Sequence, residues 1–177
     1  MVSLQSFFGA DMGKLIKLIE TVTEWVGKVF SYSVYALLVV VVYEVISRKL
    51  FGKPTIWAFD LSNMLYGIMF LMGFGYTLKH KMHVGIDIIT AKLNPKAQGW
   101  ISVVSYLVFF FPFIVIAIQA STVFAIQSWQ GLERVQSPWG APVYHFKTFL
   151  PVGFCFLLLQ GIAEFLKAVQ QIRGVRS

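Results

Sequence analysis

Charge is what this chain has least of. Only 13% of its 177 residues are Asp, Glu, Lys or Arg, while 57% are hydrophobic. Soluble domains carry about 25% charged and roughly 45–50% apolar residues, so an ordinary soluble enzyme is excluded. Disorder is excluded too, because it requires low hydrophobicity. Cysteine is nearly absent: Cys155 stands alone. One thiol forms neither an internal disulfide nor a thiolate metal cage. No internal repeat is evident. What remains is an integral membrane protein with a single membrane domain over residues 1–177.

Acidic residues are scarcer than basic ones, 8 against 15, for a net charge of +7. On a soluble surface that excess would point to nucleic acid. Here the basic residues sit at the ends of apolar runs, where they report orientation and contact with anionic headgroups. Membrane lipids, and no nucleic acid, are therefore the expected partners of this charge.

The uncharged runs are Val29–Tyr43, Leu61–Leu78, Ala97–Leu132 and Thr148–Ala163. A span needs roughly 20 residues. The short runs reach that length if Lys28, Lys147 and Lys167 snorkel outward and Glu44 and Glu164 sit near the interface. The expected fold is all-α, with four transmembrane helices at about 26–47, 59–78, 100–126 and 146–166. All five tryptophans, Trp25, Trp57, Trp100, Trp129 and Trp139, fall at or just outside span ends. Indole rings favour that level because they are apolar with one N–H donor. Ten of the 15 Lys and Arg residues lie in the N-tail, the second loop and the C-tail. The positive-inside rule then places both termini in the cytoplasm, with Arg48-Lys49 pulling the other way. Before the first span, residues 11–26 set Leu15, Ile16, Leu18, Ile19, Val22 and Val26 at helical spacing, opposite Lys14, Lys17, Glu20, Thr21 and Glu24. This segment is either a soluble extension of the first span or an amphipathic helix lying flat or obliquely docked in the cytoplasmic interface. The first span is expected to be an uncleaved anchor.

The middles of spans two, three and four contain no Asp, Glu, Lys, Arg or His. A chain that moved ions through itself would usually carry such a group at mid-depth. Broken helices in paired positions are also absent; Pro112 is a lone mid-span proline, expected to make a packing kink. His80, His83 and His145 all lie at span edges or in loops, which suits a bis-histidine haem poorly. His80, His83 and Asp87 stand at i, i+3 and i+7, a spacing open to a metal but more simply a solvated loop with a His83–Asp87 hydrogen bond. No nucleophile–base pair is visible. Catalytic, cofactor-binding and metal residues are therefore none in this reading, and the chain reads as a scaffold.

Some residues point to helix contacts instead. Ala117, Ser121 and Ala125 recur every four residues, and span two carries Gly67, Gly73 and Gly75; small residues let backbones approach in lipid. Gln119 and Gln160 are expected to be buried amides that must find partners. Glu44 and Arg48 are spaced for an ion pair, or for an ionic contact to a partner. Asp60 suits the positive start of span two. Glu164 and Lys167 are three apart near the end of span four.

At this point the residues resemble a known family. Arg48-Lys49-Leu50-Phe51-Gly52-Lys53-Pro54-Thr55-Ile56-Trp57-Ala58-Phe59-Asp60-Leu61-Ser62 is similar to the first outer loop and second-span start of the small membrane (Q) subunit of tripartite ATP-independent periplasmic (TRAP) transporters. Gly73-Phe74-Gly75-Tyr76-Thr77-Leu78-Lys79-His80-Lys81-Met82-His83-Val84-Gly85-Ile86-Asp87 resembles the family's glycine-containing span end with its His-Val-x-x-Asp signature. Lys147-Thr148-Phe149-Leu150-Pro151-Val152-Gly153, followed by Leu159-Gln160-Gly161, resembles the opening of the final span. The resemblance covers about residues 25–170. Each motif is degenerate alone; their order and spacing together are specific.

The resemblance implies a multi-pass protein of the bacterial inner membrane. Its partners would be a large multi-helix permease subunit and a periplasmic solute-binding protein. In that family the large subunit holds the substrate and sodium sites, so no cofactor is expected in this chain. The small subunit braces the static part of the large one during uptake of organic acids such as dicarboxylates. On this reading the structural or interface residues are Glu44, Arg48, Trp57, Asp60, His83, Asp87, Ser121, Arg134, Trp139 and Gln160. Two other classes remain open: the membrane anchor of a quinone- or haem-linked redox complex, and a small homo-oligomeric exporter using Glu44.

Overall fold

The computed structural model describes residues 2–80 and 94–173, with side chains from Met12 onward except that of Pro95. Every element in these residues is helical apart from one isolated bridge between Arg134 and Pro142. The elements are α1 (Val2–Ser31), α2 (Ser33–Leu50), α3 (Ala58–Lys79), α4 (Pro95–Ser105), a π-helical turn at Tyr106–Phe110, α5 (Phe111–Gln130) and α6 (Tyr144–Arg173). Four helical stretches are long and apolar enough to cross a membrane: Met12–Leu50, Ala58–Lys79, Lys96–Gln130 and Tyr144–Arg173. Helices are what lipid demands of such sequences. The run of valines at 39–42 would be a weak helix former in water, but in hydrocarbon every backbone group must bond within its own segment.

α3 and α6 form the central pair. Gly67 faces the Phe146 ring, Gly153 faces Leu71, and Gly75 faces Phe156, so the two helices run in the same direction. At Gly153 an added Cβ would stand 2.9 Å from the Leu71 carbonyl oxygen, so only a glycine permits this approach of backbones. Around this pair lie α1, which packs on both, and the α4–α5 rod, which packs along α6. α2 rests on α3 and buries none of its own residues.

Two local features shape these helices. Between α1 and α2 the chain breaks at Tyr32, with i→i+3 bonds from Tyr32 N–H to Val29 O and from Tyr35 N–H to Tyr32 O. The break thus falls inside the stretch that the sequence reading gives to the first span. The second feature is the π turn ahead of Pro112. A proline has no N–H, and its ring crowds the carbonyl four residues back. Widening the preceding turn relieves that crowding, and Phe111 N–H bonds to Tyr106 O across five residues. The turn also aims the Phe110 ring at Gly161 of α6, where a Cβ would lie only 2.1 Å from the ring. A further proline, Pro151, lies inside α6.

The stripe Ser121 and Ala125, continued by Ile114 and Ser128, is the buried face of α5. Small residues there serve packing within this chain. On span two the glycines divide: Gly67 and Gly75 meet neighbouring helices, whereas Gly73 has open space around it.

Candidate functional site

Polar side chains gather at the two ends of the bundle. At the loop end stand Glu44, Arg48, Trp57, Asp60, Arg134 and Trp139, brought together by the folds of residues 51–57 and 131–143. Arg48 donates to Glu44 Oε1 from Nη2 at 2.6 Å and Nε at 3.2 Å. The other Glu44 oxygen accepts from the Thr55 backbone N–H at 3.0 Å and from the Thr55 hydroxyl. Glu44 therefore ties the loop back onto α2, a function beyond pairing with Arg48. Trp57 sits at the start of α3 and stacks on Tyr43, with ring centroids 5.7 Å apart.

Asp60 is buried in the first turn of α3 and accepts a hydrogen bond from the Ser137 hydroxyl. That bond joins the start of α3 to the loop at 131–143. The second loop closes on itself: Val135 N–H bonds to Ala141 O at 2.9 Å, Val143 N–H to Glu133 O at 2.9 Å, and Arg134 Nη1 to Gly140 O at 3.2 Å. Gly140 takes the left-handed φ of +62° that the turn requires. Trp139 lies at its tip, partly exposed. Beside it, Lys147 lies 3.9 Å over the Phe124 ring and pairs with Glu133 at 2.5 Å. The Lys147 ammonium holds the exposed Glu133 carboxyl below the ordinary carboxylate range.

The opposite end holds a polar chain that joins three helices. Lys167 of α6 bridges Glu164, at 2.7 Å, and Glu20 of α1. Gln160 is fully buried and donates from Nε2 to Glu164 Oε1 at 3.1 Å. Lys79 of α3 meets Glu24 of α1 at 2.5 Å, and Lys28 meets the same carboxylate at 2.6 Å. Glu20 and Glu24, read from sequence as the outward polar face of the first helix, instead face α3 and α6. The inward face of α1 carries Ile16, Thr23 and Val26, and its exposed stripe is Leu15, Leu18, Val22, Trp25 and Val29. Sequence order gave a signal for Glu24–Lys28, at i and i+4, but none for Glu20–Lys167 or Asp60–Ser137, whose partners lie far apart in the chain.

Ser121 is buried and bonds to Ile118 O of its own helix at 3.1 Å. His83 and Asp87 lie outside the described residues. His80 packs on Tyr76 at the end of α3, while His145 packs among Trp129 and Tyr144 at the start of α6. These two histidines stand at opposite ends of the bundle, too far apart to share one iron. Among the described residues no three His, Cys, Asp or Glu side chains converge as metal ligands. The arrangement is a set of ties between helices, loops and ends, with apolar helix faces left uncovered around it.

Comparison with known proteins agrees with this architecture. Residues 37–171 match the family described as "Tripartite ATP-independent periplasmic transporters, DctQ component". The chain is 26% identical over 83 residues to the sialic acid TRAP transporter permease protein SiaT of Haemophilus influenzae, covering 47% of this chain and 13% of that protein. It is 33% identical over 63 residues to the sialic acid TRAP transporter small permease protein SiaQ of Vibrio cholerae, covering 36% of each. The matched stretches thus span well under half the length of these curated relatives.

Proposed function

The chain belongs to the DctQ component family of the tripartite ATP-independent periplasmic transporters, as the small permease subunit, and from that premise we propose that it is a fixed scaffold bound to a large permease subunit. The complex takes up an organic acid with sodium, receiving it from a periplasmic solute-binding protein. This chain does no catalysis and holds no cofactor; sodium and substrate bind the large subunit. The membrane is the bacterial inner membrane, with both termini in the cytoplasm and the loop end outside.

One observation carries this reading. The Asp, Glu, Lys, Arg and His side chains of the described helices collect at the two ends, and the layer between them holds apolar packing such as Phe74 on Phe154 and the fully buried Ile114. A charged solute finds no ionised group at that depth to replace its water. A rigid, well-tied bundle suits a brace instead. On the loop end, Trp57, Arg134 and Trp139 offer aromatic and cationic groups to an incoming binding protein. The exposed stripe of α1 lies against the interface of the bilayer. As substrate, a carboxylate-bearing organic acid is the class proposed; dicarboxylates and acidic sugars, to which the sialic acid named for both relatives belongs, are both within it.

The test has two arms. Expressed with a large permease and solubilised gently, the chain is expected to copurify with it. Reconstituted alone into vesicles, it is expected to move no organic acid, with or without a sodium gradient. Uptake by the chain alone, or its failure to associate with any larger permease, defeats the proposal.

A further inference from the structure

Gln119 is placed where a lipid-facing residue should not be polar. It lies on α5, ten residues before Trp129, which is about 15 Å at the helical rise of 1.5 Å per residue. With Trp129 at the headgroup level, Gln119 is near the middle of a roughly 30 Å hydrocarbon layer. Its side chain is far too short to reach water. Several other polar side chains of the spans bond within this chain. Thr23, Thr77 and Thr122 each bond to a carbonyl of their own helix, as Ser121 does, and Gln160 bonds to Glu164. Gln119 is exposed and has no hydrogen-bond partner among the described residues. Acyl chains offer an amide nothing to bond, and leaving it bare in hydrocarbon is costly.

The surface around it has a definite shape. Ile116, Gln119, Ala120, Val123, Phe124 and Gln127 line a shallow groove along the outer side of α5, opposite the face packed on α6. Ala120 is the one small residue among them. This is the form that admits one transmembrane helix, with a small residue permitting approach and an amide supplying the polar contact.

We propose that the Gln119 groove of α5 is the docking face for a transmembrane helix of the large permease, one that presents a backbone carbonyl or a polar side chain to the Gln119 amide. The inference rests on the small-subunit reading above and adds to it the face of contact. The occupant is assigned to the large permease because a relative carries its matching stretch as only 13% of a much longer permease chain, so such a stretch exists beside a large permease in one polypeptide. A second copy of this chain is the outcome the experiment must separate.

A photo-crosslinking amino acid is placed at Val123 of the full chain, expressed together with its large permease and irradiated in native membranes. The expected adduct joins this chain to the large permease. In parallel, Gln119→Leu is expected to lower recovery of the complex about 3- to 30-fold, the range for one interhelical polar contact, while helical content and monodispersity of the purified chain stay unchanged. Adducts confined to lipid or to a second copy, from complexes that still copurify, overturn this assignment and leave the subunit reading standing. Failure of the unmodified chain to hold the large permease strikes the subunit reading itself, and the assignment with it.

Discussion

Substituting Gly153 by alanine tests the central packing directly. The new methyl would stand 2.9 Å from the Leu71 carbonyl oxygen and 3.2 Å from both its carbonyl carbon and its Cβ. Ordinary contact begins at 3.4 Å, and the nearest obstacle is backbone, which cannot swing away. α3 and α6 must therefore part by about 0.5 Å along their length, forfeiting dispersion contacts on both sides. Overpacking of this kind costs about 1–3 kcal/mol. The helix gains up to ~1 kcal/mol from replacing a glycine, so the net loss is about 0–2 kcal/mol. Gly73 supplies the control: it is also helical, but nothing lies within 4 Å of an added Cβ. Gly73→Ala keeps the helical gain without the clash. The two variants should differ by about 2 kcal/mol, or ~30-fold in the unfolding constant. Unfolding in mixed micelles, driven by added SDS and followed by far-ultraviolet circular dichroism, measures this. Equal stabilities for the two variants would refute the claim that backbone approach at Gly153 holds the bundle.

Three further outcomes follow from the ties at the two ends. Lys167→Met strands the buried Glu164 and should destabilise the chain by roughly 1–3 kcal/mol, less than a fully buried pair because Lys167 is partly exposed; adding Glu164→Gln should recover much of the loss in the same SDS titration, and no recovery would count against the pairing. Asp60→Ala removes the acceptor for Ser137 and should loosen residues 133–143, read as faster amide hydrogen exchange there; unchanged exchange would dismiss the tie between α3 and this loop. Glu133 is held below 4.5 by Lys147, so its contribution is present above that pH and is lost as the pH falls through the lower folded value. Carbon-13 titration of the Glu133 carboxyl should give a midpoint under 4.5, and one at or above 4.5 would contradict the pair.

Much of the architecture was legible because the membrane imposes its own arithmetic. Apolar run length, the placement of tryptophans and the shortage of charge point to four helical crossings, and four such helices are present. The family was legible as well, from motifs spread along most of the chain, and the match over residues 37–171 bears it out. Less was visible at the level of contacts. Gln119 and Gln160 look alike in sequence, two amides in apolar runs. Folding buries one against Glu164 and leaves the other on the free side of α5. Glu20 and Glu24 look like a solvated stripe by periodicity. They face inward because cations sit on α3 and α6 at the same height.

What the sequence by itself determined was the solvent: 57% hydrophobic residues in long uncharged runs leave the backbone no choice but helices that cross lipid, since no other open structure satisfies its hydrogen bonds there. What only the tertiary structure decided was which side of each helix turns inward. Lipid is as apolar as the bundle core, so hydrophobicity does not distinguish the two faces. That choice falls to close packing at glycines such as Gly153 and to a few ion pairs between distant residues, and neither can be read from spacing along one helix.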